Sequence, residues 1–190
     1  MHHTCLYLLF VLTIAFVLSL PEYAGAFSLK DPEQTGGAIV VGSSYDPHPN
    51  FNFVQLSLMA LYDYEQIMPH RAPDPLRFKV EGNLGLADDS GKRLLTSINI
   101  LALYYLRTLE KGCLRPYVEA GVGIVYSDFQ VDGQGLRINF NPQAGIGTEW
   151  QASEGQCWYG ALRAYHISNG SLHRDNRGIN ALTLQLGLYF

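Results

Sequence analysis

The 190-residue chain has the length of a single domain, and its formal net charge of −4 comes from 17 acidic against 13 basic residues. Because the sequence contains no basic run, this charge argues against a nucleic-acid partner. Charged residues make up only 16 % of the chain, glycine and tyrosine are abundant, and apolar and polar residues alternate along most of its length. These features together are typical of a transmembrane β-barrel.

The N-terminal segment has the composition of a secretory signal peptide. Residues 7–20 form an apolar run, and the small residues Ala24, Gly25 and Ala26 follow it as the expected cleavage site. We therefore predict a cleaved signal peptide at 1–26 and a single outer-membrane barrel domain at 27–190. A retained membrane anchor is the alternative, because no lysine or arginine precedes the apolar run. After Ala26 no apolar run is long enough for a transmembrane helix.

Eight alternating segments are separated by turn signals rich in glycine, proline, asparagine and aspartate. We predict that they form strands at about 38–45, 51–64, 76–87, 93–107, 114–126, 136–151, 158–168 and 180–190. Eight is the strand number of small outer-membrane barrels, whose closed ring satisfies every backbone polar group in lipid. The predicted fold class is therefore an all-β, eight-stranded antiparallel transmembrane β-barrel.

The direction in which the apolar faces point separates this fold from a soluble one. In a secreted β-sandwich or a lipocalin-like barrel, apolar side chains would point inward and charged ones outward. The segment 76–87 puts leucine, phenylalanine and valine on one face, and Arg77, Lys79 and Glu81 on the other. The last segment carries an unbroken leucine face that ends at Phe190, which is unusual for a soluble edge strand. Both patterns favour lipid outside the barrel and a polar interior.

A polar cluster interrupts the apolar face of the last two strands. With both termini in the periplasm, the loops after odd-numbered strands face the exterior, so Ser168 is expected at the outer end of the seventh strand. Strand parity puts His166 and Ser168 on the lipid-facing side with Leu162 and Ala164, and puts Asn180 on the same side of the eighth strand. Because the two strands form a hairpin, the three polar side chains are expected to meet on one external patch. Polar groups against acyl chains are costly unless they pair, which makes this patch a candidate site.

A serine beside a histidine is the basis of nucleophilic catalysis. The hydroxyl attacks when a base accepts its proton, and a third group fixes the tautomer of that base. In this cluster Ser168 is the candidate nucleophile, His166 the base and Asn180 the third group. The alternative is a histidine of the membrane-interface girdle beside a serine without a role. The chemistry requires no metal or other cofactor, and the sequence contains no clustered set of metal ligands.

Two short segments, His-Ile-Ser-Asn-Gly at 166–170 and Asn-Arg-Gly-Ile-Asn at 176–180, resemble the lipid A 3-O-deacylases, the PagL-like family. Weaker support comes from residues 145–150. The resemblance implies a serine esterase of the Gram-negative outer membrane that removes the ester-linked 3-position acyl chain from lipid A of lipopolysaccharide. Its implied partners are therefore lipopolysaccharide and the surrounding outer-membrane lipids. It also implies that His166 is the base, Ser168 the nucleophile and Asn169 a contributor to the oxyanion hole.

Position 180 departs from the family pattern, in which a glutamate stands where this chain has Asn180. An amide oxygen accepts a hydrogen bond from the imidazole but does not neutralise an imidazolium. In a serine protease, the change from Asp to Asn in this role lowers kcat about 10⁴-fold. Asp175 in the preceding loop is the nearest alternative acid, although a solvated turn residue is its ordinary interpretation. The departure keeps open a second function, a non-enzymatic small outer-membrane barrel with a structural role or an apolar ligand.

Two cysteines, Cys113 and Cys157, remain once the signal peptide is removed. An oxidising compartment permits a disulfide between them. They are expected at the starts of the fifth and seventh strands, roughly 10 Å apart, which is farther than a disulfide spans unless the turns fold inward. A disulfide and two free thiols are both compatible with the sequence, and so are a monomeric barrel and a homodimer.

Overall fold

The alternating segments of the sequence form β-strands. The computed structural model describes residues 31–68, 70–152 and 155–190, so the predicted signal peptide at 1–26 lies outside the described residues. Two short helices lie in the connections, α1 (Tyr64–Ile67) and a 3₁₀ helix (Arg107–Leu109). The strands are β1 (Gln34–Asp46), β2 (Asn52–Asp63), β3 (Leu76–Asp88), β4 (Lys92–Tyr105), β5 (Leu114–Ser127), β6 (Ile138–Phe140), β7 (Gln143–Gln151), β8 (Cys157–Ile167) and β9 (Ile179–Tyr189).

Every strand pairing is antiparallel, and the pairings close the sheet into a ring in which β4 pairs with β5 and β1 pairs with β9. β6 and β7 both pair with β5 in one continuous register, because Ile124 faces Phe140 and Gly121 faces Gln143. These two strands are therefore one interrupted strand. The protein is the predicted eight-stranded antiparallel β-barrel.

The interruption between β6 and β7 has a local cause, Pro142. Proline has no N–H to donate to the strand ladder. Asn141 beside it still exchanges two backbone hydrogen bonds with Gly123, at 2.9 and 3.0 Å. The carbonyl of Pro142 accepts from the backbone N–H of His166 at 3.1 Å. The strand predicted at 136–151 is thus split at Pro142, whose carbonyl accepts a hydrogen bond but which has no backbone N–H to donate.

The outer wall of the barrel is apolar, and the interior holds charged side chains. Aliphatic residues on the outer wall are exposed, several of them by more than half, for example Leu56 (67 %), Leu58 (68 %) and Ile98 (69 %). The charged side chains of Lys79, Glu81, Glu119 and Arg163 are buried in the interior. This arrangement is the inverse of a soluble sandwich or lipocalin-like barrel, and it confirms the predicted orientation of the two faces.

Charged residues occupy the middle of the interior, and apolar clusters pack at both ends. We call the end that carries the connections after β1, β3, β5 and β8 the loop end, and the end that carries Phe190 the terminal end. The loop-end cluster consists of Phe51, Phe53, Ala87, Leu95, Val125, Phe129, Tyr165, Ile167, Ile179 and Ala181. The terminal-end cluster consists of Ala38, Met59, Leu61, Leu103, Tyr105, Tyr117, Tyr159, Ala161 and Tyr189. β2 contributes to both clusters, which is why its two faces differ little in polarity.

The cysteines lie on either side of β7 at the terminal end. Cys113 precedes β5, Cys157 begins β8, and both are free thiols. Residues Pro32–Phe190 form one compact unit. Within the described part of the chain, no helix has the length and apolar character needed to cross a membrane.

Candidate active site

His166 and Asn180 face each other across the β8–β9 hairpin. The backbone N–H of His166 donates to Pro142 on the other side, so His166 and Asn180 form a non-hydrogen-bonded pair, the kind in which side chains come closest. Nδ1 of His166 lies 2.6 Å from Oδ1 of Asn180. Because an amide oxygen only accepts, this contact puts the imidazole proton on Nδ1. Nε2 then has a free lone pair, which is the state that a general base requires.

Ser168 lies just beyond β8 and continues its alternation. Its backbone exchanges two hydrogen bonds with Phe140, at 2.8 and 3.1 Å. Ser168 is therefore held on the same outer face as His166, about 7 Å away along the strand by the usual rise per residue. Among the described residues, no hydrogen bond joins its hydroxyl to the imidazole. Contacts of this kind often tighten only when the substrate binds.

Because Gly178 has no side chain, the imidazole of His166 can occupy the space beside it. A β-carbon at position 178 would lie 2.6 Å from Cε1 and 3.2 Å from Nε2 of that ring. The first distance is too short for two carbon atoms, so a larger residue would displace the ring. Gly178 thus shapes the site although it carries no functional group, and sequence reasoning gave it no role.

Asn169 is buried behind Ser168 and organises the loop between β8 and β9. Its backbone N–H donates to Oδ1 of Asn176 at 2.8 Å, and its side-chain Nδ2 donates to the carbonyl of Asp175, also at 2.8 Å. Asn169 is only 1 % exposed. Its amide therefore stabilises this loop, and its part in an oxyanion hole stays a prediction.

The carboxylate of Asp175, the alternative acid suggested by the sequence, interacts within its own loop. One oxygen lies 3.8 Å from Nδ1 of His173 and the other 3.6 Å from Nε of Arg174, and the side chain is 51 % exposed. These partners are themselves in the loop and do not include His166. Across the described residues, no group of three histidine, cysteine, aspartate or glutamate side chains converges as a possible metal site.

A different carboxylate, that of Asp46, lies against the site. Its Oδ2 accepts a hydrogen bond from Nδ2 of Asn180 at 2.9 Å, and its Oδ1 pairs with the guanidinium of Arg177. The sequence analysis ended the first strand at residue 45, and Asp46 counted only as part of the turn that follows. The two residues are 134 positions apart, so no local sequence pattern could have linked them.

A shallow groove of about 270 Å³ adjoins His166 on the outer wall. Its lining includes Tyr45, Pro142 and the directly paired residues Ala144 and Ala164. The two alanines lie on the terminal-end side of His166. Their small side chains leave room beside the imidazole that larger aliphatic residues would fill.

The closed antiparallel ring, its apolar outer wall and the polar cluster at the loop end define a β-barrel protein of the Gram-negative outer membrane. A family model described as lipid A 3-O-deacylase (PagL) matches residues 70–189, and the chain belongs to this family.

Two solved structures are similar in fold. The outer membrane enzyme PagL shares 20 % identity with this chain, with 80 % of this chain and 97 % of the other covered and a TM-score of 0.59. Neisserial surface protein A shares 14 % identity, with 82 % and 94 % covered and a TM-score of 0.62. No curated protein matches the sequence.

Proposed function

We propose that the protein is an outer-membrane serine esterase that removes the ester-linked 3-position acyl chain from lipid A. Membership of the lipid A 3-O-deacylase family supports the class of reaction. The observation that carries the proposal is the 2.6 Å contact between His166 Nδ1 and Asn180 Oδ1, made on the face that also bears Ser168. A base with an orienting partner beside a serine is the arrangement that acyl transfer uses.

In the proposed reaction the Ser168 hydroxyl attacks the ester carbonyl while Nε2 of His166 takes its proton. The tetrahedral intermediate collapses, the bond from the acyl carbon to the sugar 3-oxygen breaks, and the imidazolium returns the proton to that oxygen. Water then attacks the acyl-enzyme by the same route and releases the fatty acid, which restores Ser168. Asn180 keeps the imidazole in the required tautomer.

The oxyanion that forms on the carbonyl needs hydrogen-bond donors, and Asn169 is the proposed contributor. Its backbone N–H and its side-chain Nδ2 are both engaged inside the loop. The side-chain amide nitrogen carries two N–H groups, so the oxyanion is to be met either by the second N–H of Nδ2 or by exchange of one of these hydrogen bonds when the substrate binds. Donors aimed at a developing charge in a water-poor site are typically worth a factor of about 10²–10³ in kcat.

We assign the groove beside His166 to the acyl chain that is cleaved. With the loop end at the outer surface of the membrane, the ester lies near His166 and its chain points toward the membrane interior. That direction leads along Ala164 and Ala144. The barrel wall therefore binds the chain where lipid would otherwise lie, without removing it from the membrane.

The test is incubation of the purified, folded protein with lipopolysaccharide, followed by mass spectrometry of lipid A. We expect the wild type to remove one hydroxyacyl chain and Ser168→Ala to do so at least about 10³-fold more slowly, as for other serine nucleophiles. Ser43→Ala is the matched control, because Ser43 is an exposed serine on β1. A folded wild-type barrel that leaves lipid A unchanged would refute the esterase.

The second candidate is a non-enzymatic outer-membrane barrel, and Asn180 is the residue that favours it, because it replaces a carboxylate of the family pattern. Under this alternative the wild type and Ser168→Ala give identical lipid A spectra. Activity in the wild type alone removes the alternative.

A further inference from the structure

The first strand changes register near its end, and this change moves a carboxylate to the outer wall. β1 pairs residue for residue with β9 as far as Ser44 and Ala181, and the next pair is Asp46 with Asn180. Tyr45 is the extra residue of a β-bulge. Without the bulge, Asp46 would share the interior face of Ser44, which is 1 % exposed. The bulge instead brings Asp46 beside Asn180.

Asn180 is consequently held from two sides. Its Oδ1 contacts Nδ1 of His166 at 2.6 Å, and its Nδ2 donates to Oδ2 of Asp46 at 2.9 Å. Arg177 pairs with the other oxygen of Asp46, and the Asp46 side chain is 41 % exposed. His166, Asn180, Asp46 and Arg177 thus form one continuous chain of contacts across the hairpin and the β1–β9 pairing.

The orientation of the Asn180 amide decides which nitrogen of His166 carries the proton. An amide has a donor end and an acceptor end that differ little in shape, so its orientation is set by its partners. A carboxylate only accepts, and it therefore draws the NH₂ end of Asn180 toward Asp46. The oxygen end must then face His166, which makes Nδ1 the protonated nitrogen. If the amide turned over, its NH₂ would face Nδ1, and the proton would move to Nε2, where it blocks general-base catalysis.

We propose that Asp46 is a positioning residue for the catalytic base. It acts through Asn180, and together the two residues take the role that the resemblance gives to a single glutamate. Asp46 fixes the amide, and the amide fixes the tautomer and direction of the imidazole. The carboxylate also lies on the side of the amide away from His166, where its negative charge favours the imidazolium that forms as Ser168 attacks. Asp46 lies outside the residues 70–189 matched by the family model.

The first part of the test is kinetic and rests on the proposed esterase function. Asp46→Ala is expected to lower kcat about tenfold to a hundredfold with little change in KM, less than the roughly 10⁴-fold loss that a wrong tautomer causes in a serine protease. Asp46→Ala combined with Asn180→Glu is expected to recover a rate close to that of the wild type, because a carboxylate then contacts the imidazole directly. Asp175→Asn is the matched control and should keep the wild-type rate.

The double variant separates positioning from a structural role. It lacks the Asp46 contacts to Arg177 and to residue 180 just as the single variant does, so a purely structural defect would persist in it. A double variant as slow as Asp46→Ala, or an Asp46→Ala single variant with the wild-type kcat, would overturn the proposal.

The second part of the test does not depend on activity. Nitrogen-15 NMR of histidine-labelled protein in detergent micelles reports which ring nitrogen is protonated, and His166→Gln identifies the His166 signals. The wild type should show the Nδ1–H tautomer, and Asp46→Ala a shift toward Nε2–H. An unchanged tautomer in Asp46→Ala overturns the role of Asp46. A wild type that shows the expected tautomer but leaves lipopolysaccharide intact overturns the proposed esterase instead.

Discussion

The barrel contains two polar networks, one inside and one on the outer wall, and they differ in how completely they are paired. In the interior, Arg163 bonds both oxygens of Glu81 at 2.8 and 2.9 Å and one oxygen of Glu119 at 2.6 Å, and Lys79 pairs with Glu119. All four side chains are at most 3 % exposed. On the outer wall, His166, Ser168 and Asn180 are half-buried.

We interpret the interior network as structural and the outer one as the proposed reactive site. Two cations and two carboxylates inside the barrel neutralise one another, so these four side chains leave no net charge in the interior. On the outer wall, the pairing of His166 with Asn180 engages only Nδ1, and among the described residues the Ser168 hydroxyl has no hydrogen-bond partner. Burial alone would not identify the candidate site, because the interior network is the more buried of the two. The proposed site is instead the incompletely paired cluster on the membrane-facing wall.

We expect substitutions in the interior network to lower the stability of the barrel. Arg163→Met leaves Glu81 and Glu119 to share Lys79, and breaking a buried ion pair in this way typically lowers the free energy of unfolding by about 3–5 kcal/mol. Urea unfolding in lipid vesicles, followed by the gel shift between folded and unfolded barrel, measures this change.

Arg115→Met is the matched control for that experiment. Arg115 also pairs with a buried carboxylate, that of Glu149, but its own side chain is 46 % exposed. We expect a loss of about 1 kcal/mol or less, because the Arg115 guanidinium reaches solvent and the hydroxyls of Tyr105 and Tyr189 still donate to Glu149 in the variant. Equal losses in the two variants would contradict the structural reading of the interior network.

We expect substitutions in the outer network to lower the deacylation rate and to leave the stability of the barrel unchanged. Gly178→Ala pushes the imidazole of His166 out of line with Ser168, and displacements of about 1 Å in a catalytic geometry can lower rates about 10²-fold. Deacylation rates measured beside the unfolding curve test this. Gly82→Ala is the control, since a β-carbon at Gly82 has nothing within 4 Å. A wild-type rate in Gly178→Ala would show that the ring does not depend on that space.

The groove on the outer wall should show the smallest effect. Ala164→Phe places a ring where we expect the acyl chain, and it should lower kcat/KM about tenfold, the lower end of the range typical of one methylene in a hydrophobic pocket. Ala102→Phe is the control, because Ala102 is also exposed and also paired with an alanine, Ala120, but it lies three strands away from Ala164 and outside the groove lining. Equal effects of the two substitutions would point to a general effect of the membrane surface.

The barrel could be predicted from the sequence because strand alternation is a local signal. The parity that grouped His166 and Ser168 with Leu162 was sufficient to place both on the outer wall, and hairpin connectivity was sufficient to bring Asn180 opposite His166. The strand ends were less certain, because turn residues and strand residues overlap there. The first strand extends in fact from Gln34 to Asp46.

The features that were missed depend on pairing between distant segments. A bulge at Tyr45 is visible only when β1 is laid against β9, and it alone decides on which side Asp46 lies. The role of Gly178 depends on the imidazole of His166, which packs against it from β8. The two apolar clusters of the interior likewise combine residues from many strands, so single-strand polarity could not reveal them.

The pairing of the first strand with the last has a consequence for the assembly of the barrel. His166 and Asn180 meet within one hairpin, but Asp46 reaches them only through the pairing of β1 with β9. An open sheet that has not yet joined its two edges therefore carries Ser168 and His166 without the carboxylate of Asp46 beside Asn180. On the proposed roles of these residues, the barrel becomes a competent esterase only at ring closure, and we expect a chain still in transit to the membrane to be a poor one.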